Sequence, residues 1–210
     1  MAQLIRGLDA RRVADNLARV RDEIGREDVQ VLAAVKYVAA EEMGVLAEAG
    51  ITLVGENRAQ ELEVKAAAQP GLTWDFIGHL QSRKVKQVLP LVRYIHSVAS
   101  DSALEQLAKH GTPETEVLVE VNVAREEGKS GVMHDDLDAF LERCPVAVVG
   151  LMTMPPFTER PEDSRRWFAA LAELAGERGL RELSMGTSQD YAVAAQEGAT
   201  IVRLGTILYT

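Results

Sequence analysis

Lys36 has the setting that most suggests chemistry in this 210-residue chain. It closes the run Val31-Leu32-Ala33-Ala34-Val35, five apolar residues that read as a buried parallel strand. In a barrel of parallel strands, active sites are built at the carboxyl ends. The bland alternative is a strand that runs out into solvent with the lysine as its cap. Two glycine turns stand near the other end of the chain. Gly186-Thr187-Ser188 is a small, hydroxyl-bearing turn before a helical pattern, and Gly205-Thr206 follows the last apolar run. Backbone N–H groups at a helix N-terminus bind anions, and the loops after strands seven and eight form the usual phosphate site of such barrels. Read as ordinary turns, the same residues leave Ser188 as an N-cap. A lysine facing a phosphate cradle across a barrel mouth suggests a Schiff base with a phosphorylated aldehyde. That condensation needs a neutral amine, which burial or a nearby cation favours. Arg203 supplies such a charge if it faces the mouth, and a structural contact if it only fills the interior.

These residues need elements to carry them. Val13, Leu17, Val20 and Ile24 recur at helical spacing, so residues 9 to 25 read as an amphipathic helix stopped by Gly25. From there short apolar runs alternate with helical patterns. The runs are Val31–Val35, Ile51–Val54, Thr73–Ile77, Tyr94–Val98, Glu116–Val123, Val146–Met152, Glu182–Met185 and Ile201–Leu204. Pro90 reads as the stop of the helix after the third run, and Ser102-x-x-Glu105 as a capping box. Trp167 and Phe168 fall on a helix face and read as core. Eight strands with helical crossovers predict a parallel sheet, and eight closes a (β/α)8 barrel. An open doubly wound sheet has the same periodicity. No helix is expected after strand eight, so the extra N-terminal helix would cover that gap. Residues 1–210 read as a single domain, with no linker, low-complexity tract or short repeat.

Composition narrows the function. Apolar residues make up 47% and charged residues 26%, ordinary values for a soluble protein. A net charge of -9 argues against non-specific binding of nucleic acid or anionic lipid, both of which want a basic face. The single cysteine, Cys144, excludes an intrachain disulfide and reads as a small core residue. Met1 to Asp9 has no signal-peptide layout, and no window has the length and apolarity of a membrane span. A cytoplasmic protein is expected.

On the strand ends above, the chain resembles the YggS/PROSC-type pyridoxal-phosphate homeostasis proteins, related in fold to the N-terminal barrel of bacterial alanine racemase. The matching pieces run from about residue 8 to the end. They are Ala34-Val35-Lys36, Gly55-Glu56-Asn57 with Gln60-Glu61, Trp74 to Lys84, Ile95-His96-Ser97, Val121-Asn122 with Lys129-Ser130-Gly131, Gly150-Leu151-Met152, Leu183 to Gly186 and Val202 to Thr206. The resemblance implies that Lys36 holds pyridoxal 5′-phosphate (PLP) as an internal aldimine. It implies that Ser188, Gly205 and Thr206 hold the phosphate, with Thr187 as a helper, and that Arg203 faces the pyridine nitrogen. Asn57 would lie near the ring and Met185 would pack beside it. Tyr37, Arg83, Thr187 and Gln189 depart from the family's usual residues. The family's small single-domain form implies a monomer, with PLP-dependent apoenzymes as partners.

An arginine opposite the pyridine nitrogen disfavours its protonation and weakens the ring as an electron sink. The sequence thus supports PLP binding better than it supports turnover, and the resemblance implies PLP storage or delivery with an effect on amino-acid and keto-acid balance. Two other readings stay open. One is a PLP-dependent amino-acid racemase using His79 or Tyr37 as acid or base. The other is a cofactor-free aldolase in which Lys36 attacks a sugar phosphate.

Overall fold

The computed structural model describes residues 4–210; Met1 to Gln3, part of the stretch read for a leader, lie outside the described residues. Eight parallel strands close on themselves in chain order: β1 Gln30–Ala34, β2 Leu53–Glu56, β3 Thr73–Phe76, β4 Tyr94–Val98, β5 Glu116–Glu120, β6 Ala147–Met152, β7 Glu182–Ser184 and β8 Ile201–Leu204. The closing pair aligns Leu32 of β1 with Arg203 of β8. The open-sheet alternative is thereby set aside, and the structure is the expected (β/α)8 barrel. The helices are α1 Ala10–Ile24, α2 Met43–Glu48, α3 Ala59–Ala68, α4 Val85–Val88, α5 Asp101–His110, α6 Leu137–Glu142, α7 Arg165–Glu177, α8 Tyr191–Gln196 and α9 Thr206–Tyr209. Among the described residues no helix is long and apolar enough to cross a membrane.

Helix α1 sits where its sequence puts it. Asp9 caps it by accepting from the Arg12 N–H at 2.7 Å, and Gly25 ends it at φ 64°, a left-handed conformation that glycine takes without strain. Val13, Leu17, Val20 and Ile24 are all buried. The helix covers the seam between the last and first strands, as expected. It is tied there by Arg12 and Asn16, which donate to the carbonyls of Tyr209, Leu208 and Thr210. The short α9 that supplies these carbonyls is a turn of helix the sequence reading did not anticipate.

Other local expectations shift by a few residues. Pro90 does not stop α4; it lies inside a 3-10 turn, Leu89–Leu91, near whose start its missing N–H costs nothing. The N-cap of α5 is Ser100, accepting from Ala103 N at 3.3 Å, not Ser102. Strand β5 ends at Glu120 because residues 122–132 loop out and Val132 returns to bridge Val121. Phe168 is core, whereas Trp167 is only half-buried and stacks under Arg166. Cys144 is half-buried, and burial pushes its thiol pKa up, away from the reactive thiolate.

Strand parity divides the apolar residues into two layers. Side chains pointing out, such as Ala33, Val54, Ile95, Leu151 and Val202, pack against the helices. Those pointing in, Leu32, Leu53, Tyr94, Leu118, Val149, Met152 and Ile201, plug the barrel. The interior is therefore packed rather than hollow, and a cavity opens above the plug at the carboxyl-terminal mouth.

Candidate functional site at the barrel mouth

A cavity of about 710 Å³ opens at that mouth. Residues at or just beyond the ends of the strands line it, among them Ala34, Lys36, Asn57, Gly78, Ser97, Glu120, Met152, Arg203, Gly205 and Thr206. Lys36 lies in a turn just past β1, one residue beyond Val35, and is exposed to the cavity. Its Nζ stands 4.9 Å from the centre of the Tyr37 ring. Two contacts hold this turn. From outside, Ile5 N donates to the Tyr37 carbonyl at 2.6 Å. From inside, Lys65 of α3 donates to the Val35 carbonyl at 2.8 Å.

Lys65 is buried because it meets Glu56, whose Oε2 lies 2.6 Å from its Nζ. The other carboxylate oxygen accepts from the backbone N–H groups of Asn57 and Arg58 at 2.6 and 3.2 Å. One buried ion pair thus anchors the residue before Lys36 and the backbone of Asn57. Glu56 reads from sequence as part of the mouth; parity instead turns it outward, beside Phe76, to meet α3. Asn57 itself faces the cavity, and its buried Oδ1 has no hydrogen-bond partner in the protein. Gly78 makes that arrangement feasible, since a Cβ there would fall 2.1 Å from the Asn57 carbonyl oxygen.

Arg203 points inward from β8 and is buried. Its guanidinium donates to Ser184 Oγ at 2.5 Å and to the Thr153 carbonyl at 2.8 Å. Burial lowers its pKa to about 10, a fall opposed by the charges of Glu120 and Asp190, so it stays a cation at neutral pH. Beneath it Ser184 meets His96 Nδ1 at 2.8 Å, and His96 Nε2 meets Asp75 Oδ2 at 3.0 Å. Arg93 closes the chain with two bonds to Asp75, at 3.1 and 2.6 Å. Burial would raise the Asp75 pKa, but the bonds from His96 and Arg93 outweigh it and hold the carboxyl below its usual range. Burial holds His96 below its usual value despite Asp75. Sequence reading missed Lys65, and took Asp75, His96 and Ser184 only as parts of motifs. The available signal was a polar residue at an inward position of an otherwise apolar strand.

Ser188, Gly205 and Thr206, expected at a phosphate, line the same cavity, and their internal hydrogen bonds differ from those read in the sequence. The helix α8 starts at Tyr191, so Ser188 is not its N-cap; Ser188 Oγ instead accepts from Gly205 N at 3.2 Å. Thr187 donates to Asp190 through both its N–H and its hydroxyl, at 2.8 and 3.1 Å, so its donors are turned away from an anion in the cavity. Gly205 lines the cavity, and a Cβ added there would meet no protein atom. Thr206 lies beside it at the start of α9. Met185 is not brought to the cavity. It follows the inward-facing Ser184 on β7, so parity sends it outward, fully buried against the helices; Met152 takes the inward place.

Asn122 and Ser97 line the cavity but are structural struts. Asn122 donates to the Glu126 carbonyl and accepts from its N–H, at 2.8 and 3.0 Å, and Ser97 donates to the Gly78 carbonyl. His79 and Tyr37 are exposed at the rim.

The closed parallel barrel belongs to the alanine racemase N-terminal domain family, whose profile matches residues 8–210. Within it, the chain belongs to the family of pyridoxal phosphate homeostasis proteins. It is 39% identical over 215 aligned positions to the Pyridoxal phosphate homeostasis protein of Aquifex aeolicus, covering 94% of each chain. It is 35% identical to that of Pseudomonas aeruginosa, again covering 94% of each. Among solved structures, PipY of Synechococcus elongatus with PLP bound matches with a TM-score of 0.81 and 30% identity, over 94% of this chain and 100% of that one. Alanine racemase of Corynebacterium glutamicum matches with a TM-score of 0.79 at 16% identity, over 64% of its length, and shows the shared fold alone.

Proposed function

We propose that this protein binds PLP at the barrel mouth and serves intracellular PLP homeostasis. The observation that carries this reading is the convergence in one cavity of Lys36, Arg203 and the Ser188–Gly205–Thr206 corner. The residues fit the group. Asn57 Oδ1 is an acceptor without a donor, buried against the space where a polar ring would lie. Gly205 leaves its backbone bare toward the cavity, as close approach of a phosphate requires. PLP, when bound, supplies a reactive aldehyde and an electron-withdrawing ring.

The chain's own residues divide the work as follows. Lys36 supplies the amine at the rim for covalent attachment. Ser188 and Thr206 offer hydroxyl donors to the phosphate; the Gly205 N–H is held by Ser188 Oγ, and the missing side chain of Gly205 leaves room for the group. Arg203 offers N–H donors to the ring nitrogen and, as a cation, disfavours a proton there. Asn57 orients the ring from the side.

Storage and delivery is the role these groups support. An acid-base residue is normally oriented by a neighbouring group, and neither His79 nor Tyr37 has a side-chain hydrogen-bond partner among the described residues. We further infer a cytoplasmic monomer that supplies apoenzymes.

The test is the absorbance spectrum of the purified protein mixed with PLP, before and after borohydride. A long-wavelength band that borohydride abolishes, with the reduced adduct mapped to Lys36, is expected. No visible band, or an adduct on another residue such as Lys129, would overturn the assignment.

A further inference from the structure

The chain Arg93–Asp75–His96–Ser184–Arg203 crosses the whole barrel interior, from β3 and β4 to β7 and β8, and the protons on it can be placed in only one order. Asp75 is ionised and accepts only, with Arg93 donating to both its oxygens and the Tyr94 N–H donating at 3.2 Å. His96 must then carry its proton on Nε2, facing Asp75 at 3.0 Å. That leaves Nδ1 as an acceptor, 2.8 Å from Ser184 Oγ. Ser184 has one proton to give, and gives it to Nδ1. Its lone pairs are left for Arg203, which donates at 2.5 Å. The far end is equally settled, because Arg93 also donates to Gln30 Oε1 at 2.7 Å.

We propose that Asp75, His96 and Ser184 are positioning residues that hold Arg203 as a fixed, donor-only group at the cavity floor, selecting a ligand whose facing atom is a hydrogen-bond acceptor. The proposal rests on the PLP reading above and deepens it: the acceptor is an unprotonated ring nitrogen. The physical reason is cost. A histidine and a carboxylate are taken fully out of water beside a plug of Leu, Ile, Val, Met and Tyr94. Apolar residues of the same size would often be at least as stable there. What the polar chain adds is direction. Without Ser184 only one terminal nitrogen of Arg203 is held, Nη2, by the Thr153 carbonyl and the weak acceptor Met154 Sδ; with Ser184 accepting from Nη1, both terminal nitrogens of the planar guanidinium are committed. Glu120 and Asp190 supply the negative charge around Arg203, but neither is among its hydrogen-bond partners.

The test compares two ligands, PLP and its carbocyclic analogue in which C–H replaces the ring nitrogen, on the full-length protein. The wild type should prefer PLP by at least about tenfold in Kd, the worth of a hydrogen bond to a charged group. Ser184→Ala and His96→Phe should bring that preference close to unity while leaving the affinity for the analogue within about threefold. Ser184→Thr, which keeps the hydroxyl, should restore the preference. Equal weakening toward both ligands would mean a merely structural role and would overturn the proposal. A readout on the wild-type protein without ligand guards against variants that do not fold. Nitrogen-15 NMR of the His96 ring should show Nε2 protonated and Nδ1 bare, and the opposite tautomer would overturn the proposal as well. Absence of binding by both ligands to the wild type would instead sink the PLP reading, and the tautomer would still decide the direction of the chain.

Discussion

Lys65 has its Nζ 2.8 Å from the Val35 carbonyl and 2.6 Å from Glu56 Oε2. The lysine that would hold the ligand is therefore placed by a second lysine that is fully buried and faces away from the cavity. Both members of the pair are out of water, so removing one leaves the other charge unsatisfied. Lys65→Met should cost about 3–5 kcal/mol in urea unfolding. The double variant Lys65→Met, Glu56→Gln should recover part of that loss. A cost below about 1 kcal/mol for the single change would show that the clamp is dispensable.

Lys36 itself is exposed in its turn, with its ammonium over the ring of the equally exposed Tyr37. Lys36→Ala should change stability by no more than about 0.5 kcal/mol. It should abolish the borohydride-reducible adduct while leaving weaker, non-covalent retention of PLP through the phosphate corner. Mass spectrometry of the reduced protein checks this, and an unchanged adduct in the variant would contradict it.

Ser188 and Thr206 are assigned to the phosphate and not to the ring. Replacing each by alanine should weaken PLP binding by roughly tenfold, the scale of one hydrogen bond to a charged group, and should leave the absorbance maximum in place. Equilibrium dialysis and the visible spectrum together separate the two effects. Unaltered affinity in the double variant would count against this corner.

At Gly78 the close approach is to backbone, which cannot swing aside. With a Cβ placed 2.1 Å from the Asn57 carbonyl oxygen and 2.5 Å from its Cα, Gly78→Ala must push the ends of β2 and β3 apart. A loss of roughly 1–3 kcal/mol is expected from such overpacking, together with weaker PLP binding because Asn57 moves. A variant with wild-type melting temperature and affinity would show that the mouth tolerates this shift.

Stability should also depend on pH through the buried chain. Burial holds the His96 pKa below its ordinary 6.5, so the unfolded chain takes up a proton that the native ring refuses. Stability is then full above pH 6.5 and falls as the pH drops below it. Asp75 acts in the same direction further down: its depressed pKa gives stability that is present above 3.8 and is lost as the pH falls through the lower native value. Urea midpoints between pH 7.5 and 5 should therefore decline for the wild type and run flatter for His96→Phe. Parallel curves would exclude His96 as the source.

Much of the molecule was legible in the chain because the signals are local. Apolar runs of strand length, helical spacing in Val13–Ile24, the stop at Gly25 and the glycine turns at residues 186 and 205 all act within a few residues of themselves. Those signals were enough to place Lys36 after β1, Arg203 on β8 and Ser188, Gly205 and Thr206 in adjacent loops. Three things needed the tertiary structure. Closure depends on β1 finding β8, a pairing that periodicity does not encode. Which way Met185, Ser184 and Glu56 point depends on strand register, where a shift of one residue reverses every side chain. The buried partners, Lys65 with Glu56 and Val35, and Asp75 with His96, Ser184 and Arg203, come from separate strands and helices. Their meeting is decided by how the barrel closes, since a charge is stable out of water only where another part of the chain arrives to bond it.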